Sequence, residues 1–312
     1  MIQLSIIIPH YNSTELLENL LETIPDNENI QVIIIDDNSC EDDKKKLDNL
    51  ILKKNMELYI NDSGVKGAGA CRNIGIKKAI GKWLLFADAD DYFKNNFYSI
   101  VNKYFDSKVD VVYFVPTSVN LKDGTLAKRH ITYKNRIQDY LKNPNLETEN
   151  NIKYRFSPPW SKLIKRRLVS QNKIFFDEVI ASNDIMFSTK VGYKLTKFEA
   201  SHHEIYCVTR SEGTLTRTMT KPIFESRLKV FITYNDYLRK RISKEEYKTL
   251  NIVGAKYLKM ALNFGLLKTI TVYIKLKKHN IKIVDSKLLS PVKLLSILSG
   301  LIMKKIKGKR LY

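Results

Sequence analysis

Three carboxylates end an otherwise apolar run, Trp83-Leu84-Leu85-Phe86-Ala87-Asp88-Ala89-Asp90-Asp91. A segment this apolar reads as a strand covered on both faces, and burial gives no reason to gather negative charge at its end. Aspartates at the carboxyl edge of an open α/β sheet suit a hard divalent cation, which takes oxygen ligands and can hold phosphate oxygens on its other side. The chemistry implied is that of a nucleotide's phosphates. Two other apolar runs close in the same polar way. Leu4–Ile8 leads into Pro9, Tyr11 and Asn12, and Gln31–Ile35 leads into Asp36 and Asp37. A turn after a strand can present backbone groups and an aromatic face to a nucleobase, and Asp37 can accept an imide N–H.

These side chains need a scaffold that delivers strand ends to one edge. Leu4–Ile8 and Gln31–Ile35 are short, β-branched and nearly continuous in apolar character. Between them Leu16, Leu17, Leu20, Leu21 and Ile24 recur at helical spacing, with Asn12 and Glu15 placed as a capping pair. The alternation continues with a strand at Met56–Ile60, a helix at Gly69–Ile80, a strand at Lys82–Ala87, a helix at Asn96–Phe105 and a strand at Asp110–Val115. Such an order predicts an α/β fold with a mostly parallel sheet flanked by helices. After Pro116 the periodicity weakens, and the polar stretch Lys134–Asn151 reads as a loop-rich connection or a short variable helix. The mixed aromatic, basic and acidic segments from Pro158 to Arg167 and from Phe175 to Asp184 suggest a surface that receives a second substrate.

Composition bounds the alternatives. With 312 residues and 44% hydrophobic content the chain can bury a substantial core. The formal net charge is +20, but Asn251–Tyr312 alone carries fourteen Lys and Arg against one acid, Asp285, so the excess belongs to the tail. Cys40, Cys71 and Cys207 are odd in number and widely spaced, which argues against a disulfide framework or a zinc site and for a reducing cytosol. Met1 runs directly into the first apolar strand, with no basic leader or cleavage site. Gly67 and Gly69 are wrongly spaced from Gly75 for a dinucleotide fingerprint, so NAD binding is rejected. His202 and His203, adjacent in an expected strand, should face opposite ways and not share an ion.

Taken together, Ile7-Ile8-Pro9-His10-Tyr11-Asn12, Ile35-Asp36-Asp37-Asn38-Ser39, Gly67-Ala68-Gly69-Ala70-Cys71-Arg72-Asn73-Ile74-Gly75 and Asp88-Ala89-Asp90-Asp91 resemble family 2 glycosyltransferases of the GT-A, Rossmann-like fold. The resemblance covers about two thirds of the protein, weakening through Trp160-Ser161-Lys162-Leu163 to Asn183-Asp184 and ending near Lys221. It implies that residues 1–116 form the nucleotide-sugar-binding half, residues 117–220 the acceptor-binding half, and residues 221–312 a helical, basic C-terminal extension. It implies a UDP-sugar donor held by Pro9, Tyr11, Asn12, Asp37, Arg72, Asp88 and Asp90, with Asp90 the direct ligand of Mg²⁺ or Mn²⁺ and Asp88 meeting the ribose or the metal through water. Arg72 would face the nucleotide; a surface arginine paired with an acid is the alternative.

The resemblance also assigns Asp184 as the base that takes the acceptor hydroxyl's proton, in an inverting displacement. Where the family commonly has Glu-Asp this chain has Asn183-Asp184, and a helix N-cap is the other reading of Asp184. Trp160 and Lys162 would stand beside the acceptor, with core packing as their alternative; Arg210 and Arg217 could reach the phosphates or an acceptor lipid. A Gln-x-x-Arg-Trp signature is missing, so addition of one sugar to a glycan or lipid-linked glycan of a bacterial surface polysaccharide is expected over processive synthesis.

In the tail, Leu294, Leu295, Leu298, Leu301 and Ile302 share a helical stripe ahead of a Lys- and Arg-rich end at Lys304–Arg310. This fits a cytoplasmic, peripheral enzyme lying on the anionic inner face of the membrane, or a helix packed on the core. A nucleotidyltransferase, which would release pyrophosphate, and a basic nucleic-acid-binding protein are the competing functions. No nucleic acid is expected as partner, because the charge sits in an amphipathic tail and is not interleaved with aromatics over a groove.

Overall fold

The computed structural model describes residues 1–50, 54–210 and 219–284. In chain order, β1 (Leu4–His10), α1 (Thr14–Glu22), β2 (Ile30–Asp36), α2 (Glu41–Asp48), β3 (Met56–Ile60), α3 (Ala68–Lys78) and β4 (Trp83–Phe86) alternate, with α2 an element not named among the expectations. Then come β5 (Tyr92–Phe93), α4 (Phe97–Asn102), β6 (Val111–Asn120), α5 (Ile131–Lys142), α6 (Leu146–Arg155), β7 (Lys162–Lys165), α7 (Arg166–Gln171), α8 (Asn183–Lys194) and β8 (Phe198–Arg210). The helices α9 (Lys221–Arg239), α10 (Lys244–Thr249), α11 (Ala255–Ala261) and α12 (Leu266–Lys278) follow.

The eight strands form one sheet in the order β3-β2-β1-β4-β7-β6-β8-β5. Strands β1 to β4 pair in parallel and bring Pro9, Asp36 and the loop after Phe86 to one edge. The sheet is mixed beyond β4, since β7 runs antiparallel to both β4 and β6, and β5 antiparallel to β8. Strands β1, β2 and β4 are almost wholly buried because helices cover both faces, which is why they read as unbroken apolar runs.

Several local expectations give way. The Asn12 and Glu15 cap is not formed: α1 starts after Ser13 with no side-chain cap, Asn12 Oδ1 accepts from the Cys40 amide at 2.8 Å, and Glu15 pairs with Lys46 at 2.6 Å. The tertiary loop contact outcompetes the local one. Lys134–Asn151 lies mostly in two helices, α5 and α6; Ile137 is the buried residue of α5, and α6 is started by a capping box of Asn145 and Thr148. Their apolar stripes are too narrow to register as periodicity. His202 and His203 do not face apart. A bulge where β8 slips against β6 between Ser201 and Glu204 brings their rings to 4.4 Å. No metal-ligand cluster among the described residues includes them.

Two glycines set helix positions that matter below. A Cβ on Gly69 would lie 2.5 Å from the Asp177 carbonyl oxygen, so only glycine lets the first turn of α3 approach that segment. On Gly192 it would lie 2.0 Å from the Lys153 carbonyl, where α8 crosses α6.

The chain divides into two compact units, Met1–Val230 and Phe231–Tyr312. Within the second, Leu238, Leu250, Val272, Leu276 and Ile281 are buried, and Asn235 bridges the Tyr247 hydroxyl and the His279 carbonyl. No helix among the described residues is long and apolar enough to cross a membrane. The expected stripe from Leu294 to Ile302, the basic run Lys304–Arg310 and Arg217 lie outside the described residues.

Candidate active site

Two cavities open at the carboxyl edge of the parallel strands, within the first unit. One, of about 380 Å³, is walled by Pro9, Tyr11, Asp37, Arg72, Asp88 and Asp90. The other, of about 430 Å³, is walled by Arg129, Tyr133, Trp160, Asn183, Asp184 and Arg227. Ala68, Arg72 and Asp88 belong to both. The structure thus brings together every residue expected to hold the donor except Asn12, whose side chain is turned to the Cys40 amide.

Asp37 is 5% exposed and fixed by Asn61 Nδ2 at 2.7 Å and the Gly67 amide at 2.8 Å. Asp36 does different work beneath it, accepting from Ser39 and pairing with His10 Nδ1 at 2.9 Å. Burial opposes ionisation of Asp36, but these bonds prevail and hold its carboxyl below the usual range. Tyr11 is half-exposed, with the Lys66 ammonium 4.0 Å above its ring.

Arg72 is not a surface arginine. It is 5% exposed, donates to Asp88 Oδ1 at 2.5 Å and to Asn183 Oδ1 at 3.2 Å, and its buried Nε has no hydrogen-bond partner among the described residues. One guanidinium therefore forms the wall between the two cavities.

Asp88, Asp90 and Asp91 can each bring a carboxylate oxygen within 4.8 Å of the others. They are not equivalent. Asp91 accepts from the Tyr206 hydroxyl at 2.8 Å and the Thr209 amide at 2.7 Å, and Tyr206 also receives the Asp88 amide at 2.8 Å, so Asp91 locks the loop. Burial, reinforced by Asp90 and Asp88, pushes the Asp91 carboxyl well up. Burial also raises Asp90, with the charge of Asp88 pushing the same way and Arg129 opposing. Among the described residues the Asp90 carboxyl receives a hydrogen bond only from its own amide. Crowded, like-charged oxygen donors of this kind fit a divalent cation, with Asp90 and Asp88 as the ligands available.

In the second cavity Asp184 lies in the first turn of α8, preceded by Ser182 in the left-handed region at φ 65°. Asn12, Asn38 and Ser161 share that conformation, as do Lys173, Asn251 and Asn280, which line neither cavity. Burial lifts the Asp184 carboxyl above the usual range, against the pull of Arg72 and Lys162. Ser182, not Asp184, is the N-cap residue of α8.

Trp160 lines this cavity but is 2% exposed; Tyr206 stacks on its ring at 5.9 Å and Tyr133 meets it edge-on at 5.5 Å. Lys162 is not in the wall. It is 1% exposed, donating to the Phe156 carbonyl and to Ser188 Oγ at 2.9 Å, and burial holds its ammonium down at about 7. Four wall residues lie outside the segments singled out in the sequence: Arg129, Tyr133, Ile223 and Arg227. Arg129 lies in the turn before α5 and Tyr133 in its first turn, and no periodicity marks either of them.

The sequence pattern of glycosyl transferase family 2 matches residues 5–171. Poly(ribitol-phosphate) beta-glucosyltransferase of Bacillus spizizenii is 29% identical over 228 residues, 68% of this chain and 33% of that protein. Poly(ribitol-phosphate) beta-N-acetylglucosaminyltransferase TarS of Staphylococcus aureus is 27% identical over 223 residues, 68% of this chain and 36% of that protein. The chain spans about a third of the length of these curated relatives. The crystal structure of S. aureus TarS 1–349 in complex with UDP-GlcNAc has a TM-score of 0.65 at 20% identity, covering 89% of this chain and 77% of that one. Mannosyltransferase PcManGT from Pyrobaculum calidifontis, in complex with GDP-Man and Mn²⁺, has a TM-score of 0.55 at 13% identity, covering 97% and 80%. These structural likenesses establish the GT-A architecture.

Proposed function

The chain belongs to glycosyl transferase family 2, and from that premise we propose that it transfers a single sugar, with inversion, from a UDP-sugar to a hydroxyl of a bacterial surface glycan or its lipid-linked precursor. The observation that carries this reading is the wall shared by the two cavities. Arg72 and Asp88 separate a chamber holding Asp37 and Asp90 from one holding Asp184, so a donor's diphosphate and an acceptor hydroxyl can lie on opposite sides of one sugar. Asp184 takes the hydroxyl proton as the acceptor oxygen bonds to the anomeric carbon, and the bond to the diphosphate breaks with its electron pair leaving on UDP. Its raised carboxyl makes it a stronger base than an ordinary aspartate. Arg72 places a fixed planar cation where charge grows on the leaving group. Asp90 and Asp88 would hold Mg²⁺ or Mn²⁺, which when bound supplies further positive charge beside the two phosphates.

Arg129 and Arg227 beside Tyr133 and Trp160 suit an acceptor that carries phosphate as well as sugar, as the poly(ribitol-phosphate) relatives' names describe for theirs. We place the enzyme at the cytoplasmic face of the membrane. Leu266, Leu267, Ile270 and Ile274 are exposed on α12 beside Lys275 and Lys277, an amphipathic surface that suits anionic lipid.

The test is a panel of UDP-sugars assayed for UDP release with and without Mn²⁺, alongside UDP titration of two variants. Asp184→Asn should keep UDP affinity and lose transfer, whereas Asp90→Ala should lose both. Normal turnover by Asp184→Asn would remove the base, and release of pyrophosphate in place of UDP would overturn the reaction class.

A further inference from the structure

At the opposite pole of the sheet, where the parallel strands begin, lies a cavity of about 570 Å³ in the first unit. Its wall carries five cations, Lys82, Lys108, Lys165, Arg166 and Arg167, and no carboxylate. The remainder is chiefly apolar: Ile80 is 61% exposed there, with Ile2 and the terminal Met1 beside it and Ser107 as the polar exception. Folding does not explain the gathering of charge, since like cations repel one another.

Neutralisation within the chain is incomplete. Lys82 reaches Asp106 at 3.2 Å, and Arg167 stands 3.9 Å from Asp110. Asp110 is mostly committed elsewhere, accepting from the Thr196 hydroxyl at 2.6 Å and amide at 2.9 Å. Arg166 spends its Nε on the Gly81 carbonyl at 2.7 Å. Lys108 and Lys165 form no ion pair among the described residues. Lys165 is only 5% exposed, and its ammonium lies 5.2 Å from the Trp83 ring, which cannot replace a counterion. Burial first, and then Arg167 and Lys82, hold that ammonium below the ordinary lysine range, against the pull of Asp110.

We infer that this cavity binds a phosphate-bearing amphiphile, its phosphate held among Lys165, Lys82, Lys108 and Arg167 and its apolar part laid against Met1, Ile2 and Ile80. The site is separate from the transfer chemistry, because strand β4 runs from its wall at Lys82 to the aspartate loop at the other end. Occupancy leaves the nucleotide cavity untouched. The phosphate can come from a lipid headgroup or from the free anion, and the apolar wall favours the lipid.

The experiment is calorimetric titration of the full chain with dihexanoyl phosphatidylglycerol below its micellar concentration, with dihexanoyl phosphatidylcholine, and with inorganic phosphate. The phosphatidylglycerol, whose phosphate charge no choline offsets, should bind at least tenfold more tightly than either comparator. In Lys82→Glu/Arg167→Glu, and independently in Lys108→Glu, its affinity should fall about tenfold while UDP affinity stays within twofold of the parent. Inorganic phosphate binding as tightly as the lipid would overturn the amphiphile assignment. Unchanged lipid affinity in both charge-reversed variants would overturn the site.

Discussion

The Asp90 cavity and the Asp184 cavity adjoin, yet they are assembled by different rules. The first is built from side chains that directly follow β1, β2 and β4, so three short segments and the start of α3 supply nearly all its wall. The second draws on the start of α5, the segment before β7, the first turn of α8 and α9, elements brought together only by tertiary packing. A strand-end site moves with its strand; a packed site depends on each helix crossing. Chemistry common to many substrates is expected in the first, and selection among acceptors in the second.

The strongest challenge to this contrast is Asp90→Ala against Asp184→Asn. We expect each to lower turnover by about 10³-fold, within the range for loss of a metal ligand or a positioned base. They should differ in binding, with metal-dependent UDP affinity abolished in the first and within twofold of the parent in the second, read by calorimetry with and without Mn²⁺. Equal loss of UDP affinity in both would erase the distinction. Arg72→Ala should lower kcat/KM by about 10²-fold and weaken both UDP and acceptor, since one guanidinium serves both walls. An effect confined to UDP would show that the shared wall is shared in name only.

Arg129→Ala should sharpen the contrast by raising the acceptor KM about tenfold, the cost of one charge-assisted hydrogen bond, with UDP affinity unchanged. Product formation at several acceptor concentrations reads it. The smallest effect concerns Lys162, which supports the Asp184 cavity from behind. Its ammonium titrates at about 7 when folded against 10.5 as the ordinary value. An unfolded chain therefore binds more protons between those values, so this group's contribution to stability improves as pH rises from about 7 toward 10.5 and its full burial cost applies below 7. In Lys162→Met the melting temperature relative to the parent should be highest near pH 6 and decline by several degrees toward pH 10. A flat difference across that range would mean that the lysine is not charged differently in the two states.

The same contrast explains how much could be read in advance. β1, β2 and β4 and the residues at their ends follow from apolar runs closed by polar turns, because a doubly covered strand advertises itself and its end is one residue away. Arg129 and Tyr133 were missed because α5 buries Ile137 alone, leaving too little apolar periodicity to show a helix. Asp184 was found only through family resemblance. Trp160 and Lys162 mark the converse difficulty: their spacing suggested a common place, but Ser161 between them is left-handed at φ 56° and β7 begins only at Lys162, so the lysine turns inward while the buried tryptophan borders the cavity. The bulge in β8 could not be foreseen from alternation, since it is alternation that it breaks.

Tyr206 has a consequence for how the protein is made. Its hydroxyl is the tie that seats the amide of Asp88 and the carboxyl of Asp91, and it arrives 118 residues after Asp88. On a ribosome adding roughly 5–20 residues per second, the aspartate loop emerges about 6–24 s before its anchor exists. During that interval the nascent sheet can already hold β1 to β4 while its acidic rim stays unset. A chain that stops short of Tyr206 would keep the hold of Arg72 on Asp88 and lose the seat of Asp91.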